Sequence, residues 1–226
     1  VIVHHLHLIM KIGQKIISKT VPSSHYANYQ VNTVSSDDYE ILSKIGWGRY
    51  SEVFEGINKK SLDKVVIKLL KPIENIKIIR EIYMLEKLKE CPNIVKITNI
   101  VKENNSKIYC IICKSISGQE LRKLYKNISA SDLKLYMKKI LKCLEYTHNN
   151  GIMHRDIKPG NIVINPTTKE LNVIDWGLAE YYIENFKYTL TVGSRFYKAP
   201  ELFLDYRKYD YRIDIWSLGC LFGAIL

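Results

Sequence analysis

The feature that most restricts how this 226-residue chain can fold is the stretch HRDIKPGN at residues 154–161. It follows an apolar helical pattern and precedes a short apolar strand, so we expect a loop between the two. In this loop Asp156 can accept a hydroxyl proton, Lys158 can neutralise a phosphoryl group, and Asn161 can bind a hard cation through its amide oxygen. Asp175, in the downstream turn DWG, offers a second oxygen ligand for the same cation.

A second set of residues, closer to the N-terminus, also suits an anionic ligand. Gly46 and Gly48 stand between two alternating stretches, a strand–turn–strand pattern in which backbone N–H groups can approach phosphates, and Ser51 takes the third position of the motif. Lys68 is the charged residue of the apolar run VVIKLL and needs a partner, which Glu81 can supply from the next helix. By default the glycine pattern is an ordinary hairpin, and a structural ion pair explains the second pattern equally well.

The periodicity of apolar residues predicts two regions of different character. Strand patterns dominate from Tyr39 to residue 113, interrupted by one helix over 74–88. From Gly118 onward helices dominate, including one that Ser131 can cap and one over 209–226. We therefore expect an α+β, two-lobed fold. Its predicted parts are an N-terminal segment (1–36), a strand-rich lobe with one main helix (37–113), a hinge (114–117) and a mainly helical lobe (118–226).

Composition narrows the classes of partner. The net charge of +11 suits nucleic acid, acidic lipid or acidic protein. No apolar run approaches the ~20 residues of a membrane span, and no nucleic-acid-binding module is recognised, so neither membrane nor nucleic acid is expected as a partner. Cys110 and Cys113 have CxxC spacing within a predicted strand, where residues three apart face opposite sides. We expect reduced core cysteines rather than a metal site or a disulfide.

Taken together, these motifs resemble the signature set of protein kinases. VVIK, HRDIKPGN, DWG and the APE at residues 199–201 occur in the order of that family. The resemblance implies the two-lobed protein-kinase fold, ATP and Mg²⁺ as cofactors, and transfer of the γ-phosphoryl group to Ser or Thr, the class marked by Lys158. The implied roles are phosphate contact by Lys68, pairing with it by Glu81, base catalysis by Asp156, and Mg²⁺ binding by Asn161 and Asp175.

Where the sequence departs from the usual kinase pattern, it resembles one family, the catalytic (alpha) subunit of casein kinase II. DDYEILSKIGWGRYSEVFEGIN, GIMHRDIKPGN and LNVIDWGLAEYY carry this resemblance, which runs from about Asp37 to the end of the chain. That family has Trp in the metal-binding turn, as Trp176 is here, and Ser51 in place of the third glycine. The larger indole, with its N–H bonded to a backbone carbonyl, should pin the turn. The resemblance implies constitutive activity, with residues 20–36 packing on the activation segment through Tyr26 and Tyr29.

The same resemblance implies a nucleotide pocket. Val66 above and Val163 below narrow the adenine slot and permit GTP as well as ATP. Cys113 takes the gatekeeper position, where the family has a larger Phe, and the hinge includes Lys114 and Ile116. The other implied pocket residues are Ile45, Gly46, Gly48, Ser51, Val53, Lys68, Ile174 and Asp175.

Basic residues define the implied substrates, which are acidic proteins. Arg195 and Lys198 match positions that bind acidic residues just after the target Ser, and Lys77 and Arg80 match a helix cluster that binds acidic residues further along. Of the family's run of four lysines only Lys77 is kept, so we expect a weaker demand for a distal acidic residue. The resemblance implies a location in cytoplasm and nucleus, although this lysine run, a nuclear signal in relatives, is not kept.

A dimeric regulatory (beta) subunit is the implied protein partner, bound on the outer face of the small lobe. Simple alternation of core residues explains the apolar character of the matching positions equally well. Those positions are Tyr39, Ile41, Phe54, Ile67, Leu69 and Val101.

Two alternatives to an active kinase are a non-catalytic scaffold and a nucleic-acid binder, the latter supported only by charge. The scaffold rests on the last predicted helix, which runs to the end of the chain and carries Asp214, the residue that in kinases holds the HRD backbone. The resemblance implies roughly 100 further residues, so we expect a truncated helical lobe. At the other end we expect Met10 to be the native start. The intact motif residues argue against a scaffold.

Overall fold

The computed structural model describes residues 26, 28–72, 74–103, 108–125 and 128–226. They divide into two compact units. The first unit takes in the described parts of Ser23–Lys89 and Val95–Ser117, and the second unit those of Glu90–Ile94 and Gly118–Leu226. Residues 90–94, which fall inside the predicted strand-rich lobe, therefore group with the second unit. The predictions made for residues 1–25 lie outside the described residues.

The first unit contains a five-stranded antiparallel sheet and a helix that follows its third strand. Its elements are β1 (Tyr39–Trp47), β2 (Ser51–Asn58), β3 (Lys64–Leu70), α1 (Asn75–Lys87), β4 (Ile97–Lys102) and β5 (Tyr109–Lys114). The strand order is β1–β2–β3–β5–β4. At the β4 edge, Val34 donates its backbone N–H to Ile100 O at 2.9 Å. The predicted strand-rich region with one main helix is thus confirmed.

Helix α1 forms where apolar residues recur at three- and four-residue spacing. The predicted stripe of Ile78, Ile82 and Leu85 is buried, and Leu88 at the end of the helix is buried as well. Because one face is buried in this way, Glu81 is carried into the interior of the unit, where it is 6% exposed.

The N-terminal segment contacts α1 through two aromatic rings. The centroids of Tyr26 and Tyr29 lie 6.1 and 5.0 Å from that of Tyr83. Tyr26 is 5% exposed, so this contact closes over part of the helix surface. Both tyrosines therefore pack on α1 within the first unit, and their predicted contact with the activation segment stays a prediction.

The second unit combines two helices with short strands. Its elements are β6 (Gln119–Glu120), α2 (Ala130–Asn149), β7 (Ile152–Met153), β8 (Ile162–Ile164), β9 (Leu171–Val173), β10 (Glu180–Tyr181) and α3 (Arg212–Gly223). β8 lies between β6 and β9, and β7 pairs with β10. The loop at residues 154–161 thus leaves β7 and enters β8, which fixes both of its ends.

The N-terminus of α2 corrects the prediction that Ser131 caps this helix. Ser129 is the cap, because its Oγ accepts the N–H of Asp132 at 3.1 Å and its backbone is extended. Ser131 Oγ instead lies 2.9 Å from Ser129 Oγ. The predicted apolar stripe of this helix is buried at Leu133, Ile140, Leu141 and Leu144, with Met137 half-buried.

Helix α3 is shorter than the predicted span of 209–226. It begins at Arg212, whose backbone N–H donates to Asp210 Oδ1 at 2.8 Å. Tyr209 and Tyr211 precede it and are buried in a cluster with residues of the segment that leads into the helix. Asp214 is carried on its first turn and is fully buried.

Three of the five cysteines, Cys91, Cys113 and Cys143, are buried, whereas Cys110 and Cys220 are half-buried. Cys110 packs against an apolar cluster on one face of the sheet, and Cys113 is buried. The outer cluster consists of Val65, Ile67, Val101 and Ile112. Within the described ranges no helix is both long enough and apolar enough to cross a bilayer.

Candidate active site

In the first unit, Lys68 and Glu81 form the predicted ion pair. Lys68 Nζ lies 2.7 Å from Glu81 Oε1, and the two side chains are only 16% and 8% exposed. Strand β3 supplies the lysine and helix α1 supplies the glutamate. An ion pair so removed from water is retained only where its geometry is good, because both charges lose hydration. The pair fixes the position of the Lys68 ammonium group.

The predicted glycine-rich turn joins β1 and β2. Gly46 lies within β1 opposite Val53, and Gly48 donates its N–H to Ser51 O at 2.8 Å to close the turn. Ile45 is 56% exposed, so its side chain is available to a ligand. Lys71 Nζ lies 3.4 Å from Gly48 O, which ties the turn to the end of β3.

The remaining predicted pocket residues of this unit lie in β2, β3 and β5 or just after β5. Val66 pairs with Cys113 across β3 and β5, and both Val66 and Val53 are half-buried. Burial raises the pKa of the Cys113 thiol to about 12, so the group is a neutral thiol. Lys114 ends β5 and is exposed. Ile116, two residues further, is half-buried.

In the second unit, the Asp156 carboxylate is held by three side chains. Lys158 Nζ donates to Oδ2 at 2.6 Å, Asn161 Nδ2 donates to the same oxygen at 3.0 Å, and Ser194 Oγ donates to Oδ1 at 2.8 Å. Asp156 is 7% exposed. A carboxylate fixed in this way is oriented for proton transfer. The sequence analysis placed Lys158 and Asn161 at the same site but did not predict these bonds, and it missed Ser194.

Asn161 is turned so that its amide nitrogen faces Asp156. Besides the carboxylate, the same nitrogen donates to Asp156 O at 2.8 Å. The amide oxygen consequently faces away from Asp156, as a cation ligand must. The backbone carbonyl of Asn161 accepts the N–H of Ile174 at 2.9 Å, which places Asp175 next in the chain. An amide oxygen and a carboxylate are ligands that suit Mg²⁺, whose other positions are usually filled by water and phosphate oxygens.

The loop backbone is anchored by Asp214 of α3. Its Oδ2 accepts the N–H of His154 and its Oδ1 that of Arg155, both at 2.8 Å, and His148 Nε2 lies 2.9 Å from Oδ2. These bonds stabilise Arg155 in a left-handed conformation with φ of 67°. Burial alone raises the pKa of Asp214, but the His148 hydrogen bond and the charges of His148 and His154 outweigh it, so the pKa lies below its ordinary value.

The turn DWG is fixed by the indole of Trp176. This side chain is fully buried, and its Nε1–H donates to Val173 O at 3.3 Å, as the sequence analysis expected. The imidazole of His154 meets the indole edge-to-face, with centroids 4.5 Å apart. Asp175, just before the indole, is exposed and has a positive φ of 62°. The turn thus presents the Asp175 carboxylate at the surface of the second unit.

Arg155 organises the segment that follows this turn. Its guanidinium donates to Leu178 O at 2.6 Å and to the Tyr209 hydroxyl at 3.1 Å, and lies 4.0 Å from Glu180. It also stacks near the ring of Tyr188, 6.0 Å from the centroid. The buried guanidinium therefore already has protein partners. Sequence reasoning missed these contacts, although a buried arginine always requires acceptors nearby.

Tyr188 closes the same segment on itself. Its hydroxyl accepts the N–H of Ile183 at 2.6 Å and donates to Tyr181 O at 2.8 Å. Burial raises the pKa of this hydroxyl to about 12, so it stays protonated and keeps its donor role. Tyrosine and arginine contacts thus help to order the segment.

The predicted substrate-binding residues lie in both units. Lys77 is exposed but paired with Glu74 at 2.9 Å, and Arg80 is half-buried on α1. In the second unit Arg195 is exposed. Lys198 donates to Leu190 O at 2.7 Å.

The other predicted pocket residues of the second unit are Val163 and Ile174. Val163 lies in β8 opposite Asn172 and is half-buried. Ile174 follows β9, is half-buried, and accepts at its carbonyl a hydrogen bond from His154 Nε2 at 3.2 Å. Together with the residues of the first unit, they complete the predicted set, whose two parts stand in different units.

Comparison with known proteins defines the class. Residues 39–226 match the model of the protein kinase domain, so the chain belongs to the protein kinase family. Over 212 residues it is 43% identical to a probable serine/threonine-protein kinase of Dictyostelium discoideum, an alignment that covers 93% of this chain and 35% of that relative. The chain thus spans about a third of the length of the curated relative it matches.

Proposed function

We propose that the chain carries the catalytic domain of a Ser/Thr protein kinase. The single observation that carries the proposal is the buried Asp156 carboxylate, held by Lys158, Asn161 and Ser194 at 2.6, 3.0 and 2.8 Å. The membership in the protein kinase family and the similarity to a probable Ser/Thr kinase support the same reaction.

The reaction transfers the γ-phosphoryl group of ATP to a Ser or Thr hydroxyl. The substrate oxygen attacks the γ-phosphorus, the bond to the bridging oxygen of ADP breaks, and the hydroxyl proton passes to Asp156. Lys158, which touches Asp156 at 2.6 Å, carries a positive charge to the side of the transferring group. Because Ser194 and Asn161 fix the carboxylate from both sides, little reorganisation is needed when the proton moves.

Protein kinases use ATP together with Mg²⁺. The amide oxygen of Asn161 and the carboxylate of Asp175 are suited to hold the ion, which supplies charge neutralisation to the phosphates. Lys68, fixed by Glu81 at 2.7 Å, would bind the α- and β-phosphates. The same proposal includes GTP as an alternative nucleotide. It assigns Val66 and Val163 as walls of the adenine slot.

We also propose activity of the casein kinase II type that needs no activating phosphorylation. Two features support it. The indole N–H of Trp176 is bonded to Val173 O at 3.3 Å, which opposes movement of the turn that carries Asp175. Arg155, which could otherwise bind a phosphate, already contacts Leu178 O and Tyr209.

Acidic proteins are the proposed substrates. Arg195 is exposed and offers a guanidinium to a carboxylate just after the target Ser. Lys77 is already paired with Glu74, which supports a weak preference for acidic residues further along. The proposed location is cytoplasm and nucleus.

We further propose that a regulatory subunit binds the outer face of the sheet. The burial of the predicted contact residues limits which of them a partner could touch. Ile67 and Val101 are 3% and 5% exposed and belong to the outer cluster, whereas Ile41 is 54% exposed. Tyr39, Phe54 and Leu69 are half-buried. A partner would therefore meet Ile41 and the edges of its neighbours.

The test measures phosphate transfer from ATP to an acidic Ser peptide by the full-length protein, beside Asp175→Ala. If the protein is a kinase, Asp175→Ala loses phosphate transfer but keeps its fold, as checked by circular dichroism. A scaffold gives equal, background transfer in both proteins, and that result would reject the proposal.

A further inference from the structure

Two cysteines that phosphotransfer does not use touch each other inside the second unit. The Sγ atoms of Cys91 and Cys143 lie 3.7 Å apart although the residues are 52 positions apart in sequence. Both side chains are 0% exposed, and no disulfide joins them. In the part of the chain that the structure describes, no cluster of His, Cys, Asp and Glu suits a metal, so metal binding does not account for the pair.

The segments that carry the two thiols are held side by side by other contacts. Cys143 lies on α2, and Asn93, two residues after Cys91, donates to Lys139 O on that helix at 3.0 Å. The carbonyl of Asn93 accepts the N–H of Val173 at 2.8 Å. These hydrogen bonds hold the two segments together, and a disulfide bond requires the two sulfurs to approach from 3.7 Å to about 2.05 Å.

We propose that Cys91 and Cys143 form a reversible disulfide when the protein meets hydrogen peroxide. One sulfur attacks the O–O bond, which breaks to give a sulfenic acid and one molecule of water. The second sulfur attacks the sulfenic sulfur, the S–S bond forms, the S–O bond breaks, and a second water leaves. The two thiols give up two electrons and two protons, and the peroxide is reduced to two waters. A small dithiol reverses the reaction by exchange.

Burial and proximity make this oxidation slow but selective. Peroxide reaches the pair only when the segment opens locally, which limits the rate. Once a sulfenic acid forms, the other thiol is its nearest reactant, so the disulfide outcompetes further oxidation. The bond links positions that are distant in sequence and so restricts the unfolded chain, which raises the unfolding midpoint.

The test exposes the purified full-length protein to hydrogen peroxide, blocks remaining thiols in denaturant and maps peptides by mass spectrometry without reduction. We expect one cross-linked pair containing Cys91 and Cys143, the loss of two thiols, and a higher unfolding midpoint, all reversed by dithiothreitol. Oxidation at other cysteines while these two stay reduced overturns the proposal. Kinase activity plays no part in the readout, so the result is independent of the proposed function.

Matched variants sharpen the assignment. After peroxide treatment, Cys91→Ala and Cys143→Ala should each form no disulfide within the protein. Cys220→Ala, at a half-buried position on α3, should still form the Cys91–Cys143 disulfide. Formation of a cross-link in Cys91→Ala contradicts the assignment. If a buried variant fails to fold, the peptide map of the wild-type protein decides by itself.

Discussion

Ser194 Oγ donates a hydrogen bond to Oδ1 of Asp156 at 2.8 Å. The other oxygen of the same carboxylate accepts from Lys158 and Asn161. Each carboxylate oxygen is thereby fixed by a donor, in a side chain that is 7% exposed. Ser194 comes from the segment after the turn DWG, so the order of that segment is coupled directly to the proposed catalytic base.

Ser194→Ala is expected to lower kcat by about tenfold, because a hydrogen bond to a charged group contributes about 1.5 kcal/mol. The KM for ATP should not change, since Ser194 touches the base and not the residues assigned to the nucleotide. Steady-state kinetics at saturating peptide measures the effect.

Thr189→Ala is the matched control for this variant. Thr189 is an exposed hydroxyl of the same segment, 2.7 Å from Thr191 Oγ1. Thr189→Ala should leave kcat unchanged. Ser194→Thr, which keeps a hydroxyl, should retain most of the kcat that Ser194→Ala loses. Equal effects at positions 189 and 194 would count against the positioning role.

Asp214→Asn should destabilise the protein by about 3 kcal/mol at pH 7, because it removes a buried carboxylate that anchors His148 and two backbone N–H groups. The folded-state pKa of Asp214 lies below the ordinary 3.8, so the unfolded chain takes up the proton first as pH falls. Its contribution is therefore complete above about pH 4 and is lost as pH falls through the folded-state pKa.

Urea unfolding of wild type and Asp214→Asn at pH 7 and in steps below pH 4 checks this expectation. The difference in unfolding free energy should shrink as the pH is lowered. A difference that stays constant over this range would show that the charge of Asp214 does not carry the stabilisation.

Trp176→Phe removes the indole bond to Val173 O while keeping an aromatic ring in the site. The loss of about 1 kcal/mol should lower kcat by about fivefold, because the turn that carries Asp175 is less firmly held. Trp216→Phe is the control, since Trp216 is 49% exposed on α3. Comparable kcat values for the two variants would argue that the indole does not pin the turn.

Substrate preference should favour an acidic residue directly after the target Ser. Peptides with Asp at +1 should outperform those with Asp at +3, and Arg195→Ala should reduce the +1 preference by about tenfold. Lys77→Ala should have a smaller effect, because its ammonium is already paired with Glu74 at 2.9 Å. Peptide arrays provide the measurement, and a dominant +3 effect would contradict the proposed weak preference for acidic residues further along.

Much of the fold could be predicted because its signals are local. The buried stripe on α1 follows from apolar spacing alone, and the Lys68–Glu81 pair follows from the need of a lone charge in a buried strand for a partner. The choice between Ser129 and Ser131 as the cap of α2 could not be predicted. Both have the same side chain, and the backbone conformation at residue 129 decides between them.

The contacts of Arg155 and Ser194 lay beyond sequence reasoning for a different reason. Arg155 meets Leu178, Tyr209 and Glu180, residues whose approach depends on the path of the whole segment between β9 and α3. No periodicity encodes that path. The contact between Cys91 and Cys143 likewise depends on how residues 90–94 group with the second unit.

The most direct test of the central claim is the rate of phosphate transfer to a Ser-containing acidic peptide by wild type and Asp156→Asn. The variant keeps the shape of the side chain but loses the proton-accepting carboxylate, so kcat should fall by about a thousandfold. Nucleotide affinity, measured by calorimetry on the same samples, should stay within about twofold of wild type. Transfer at the wild-type rate by Asp156→Asn would contradict the assignment of Asp156 as the catalytic base.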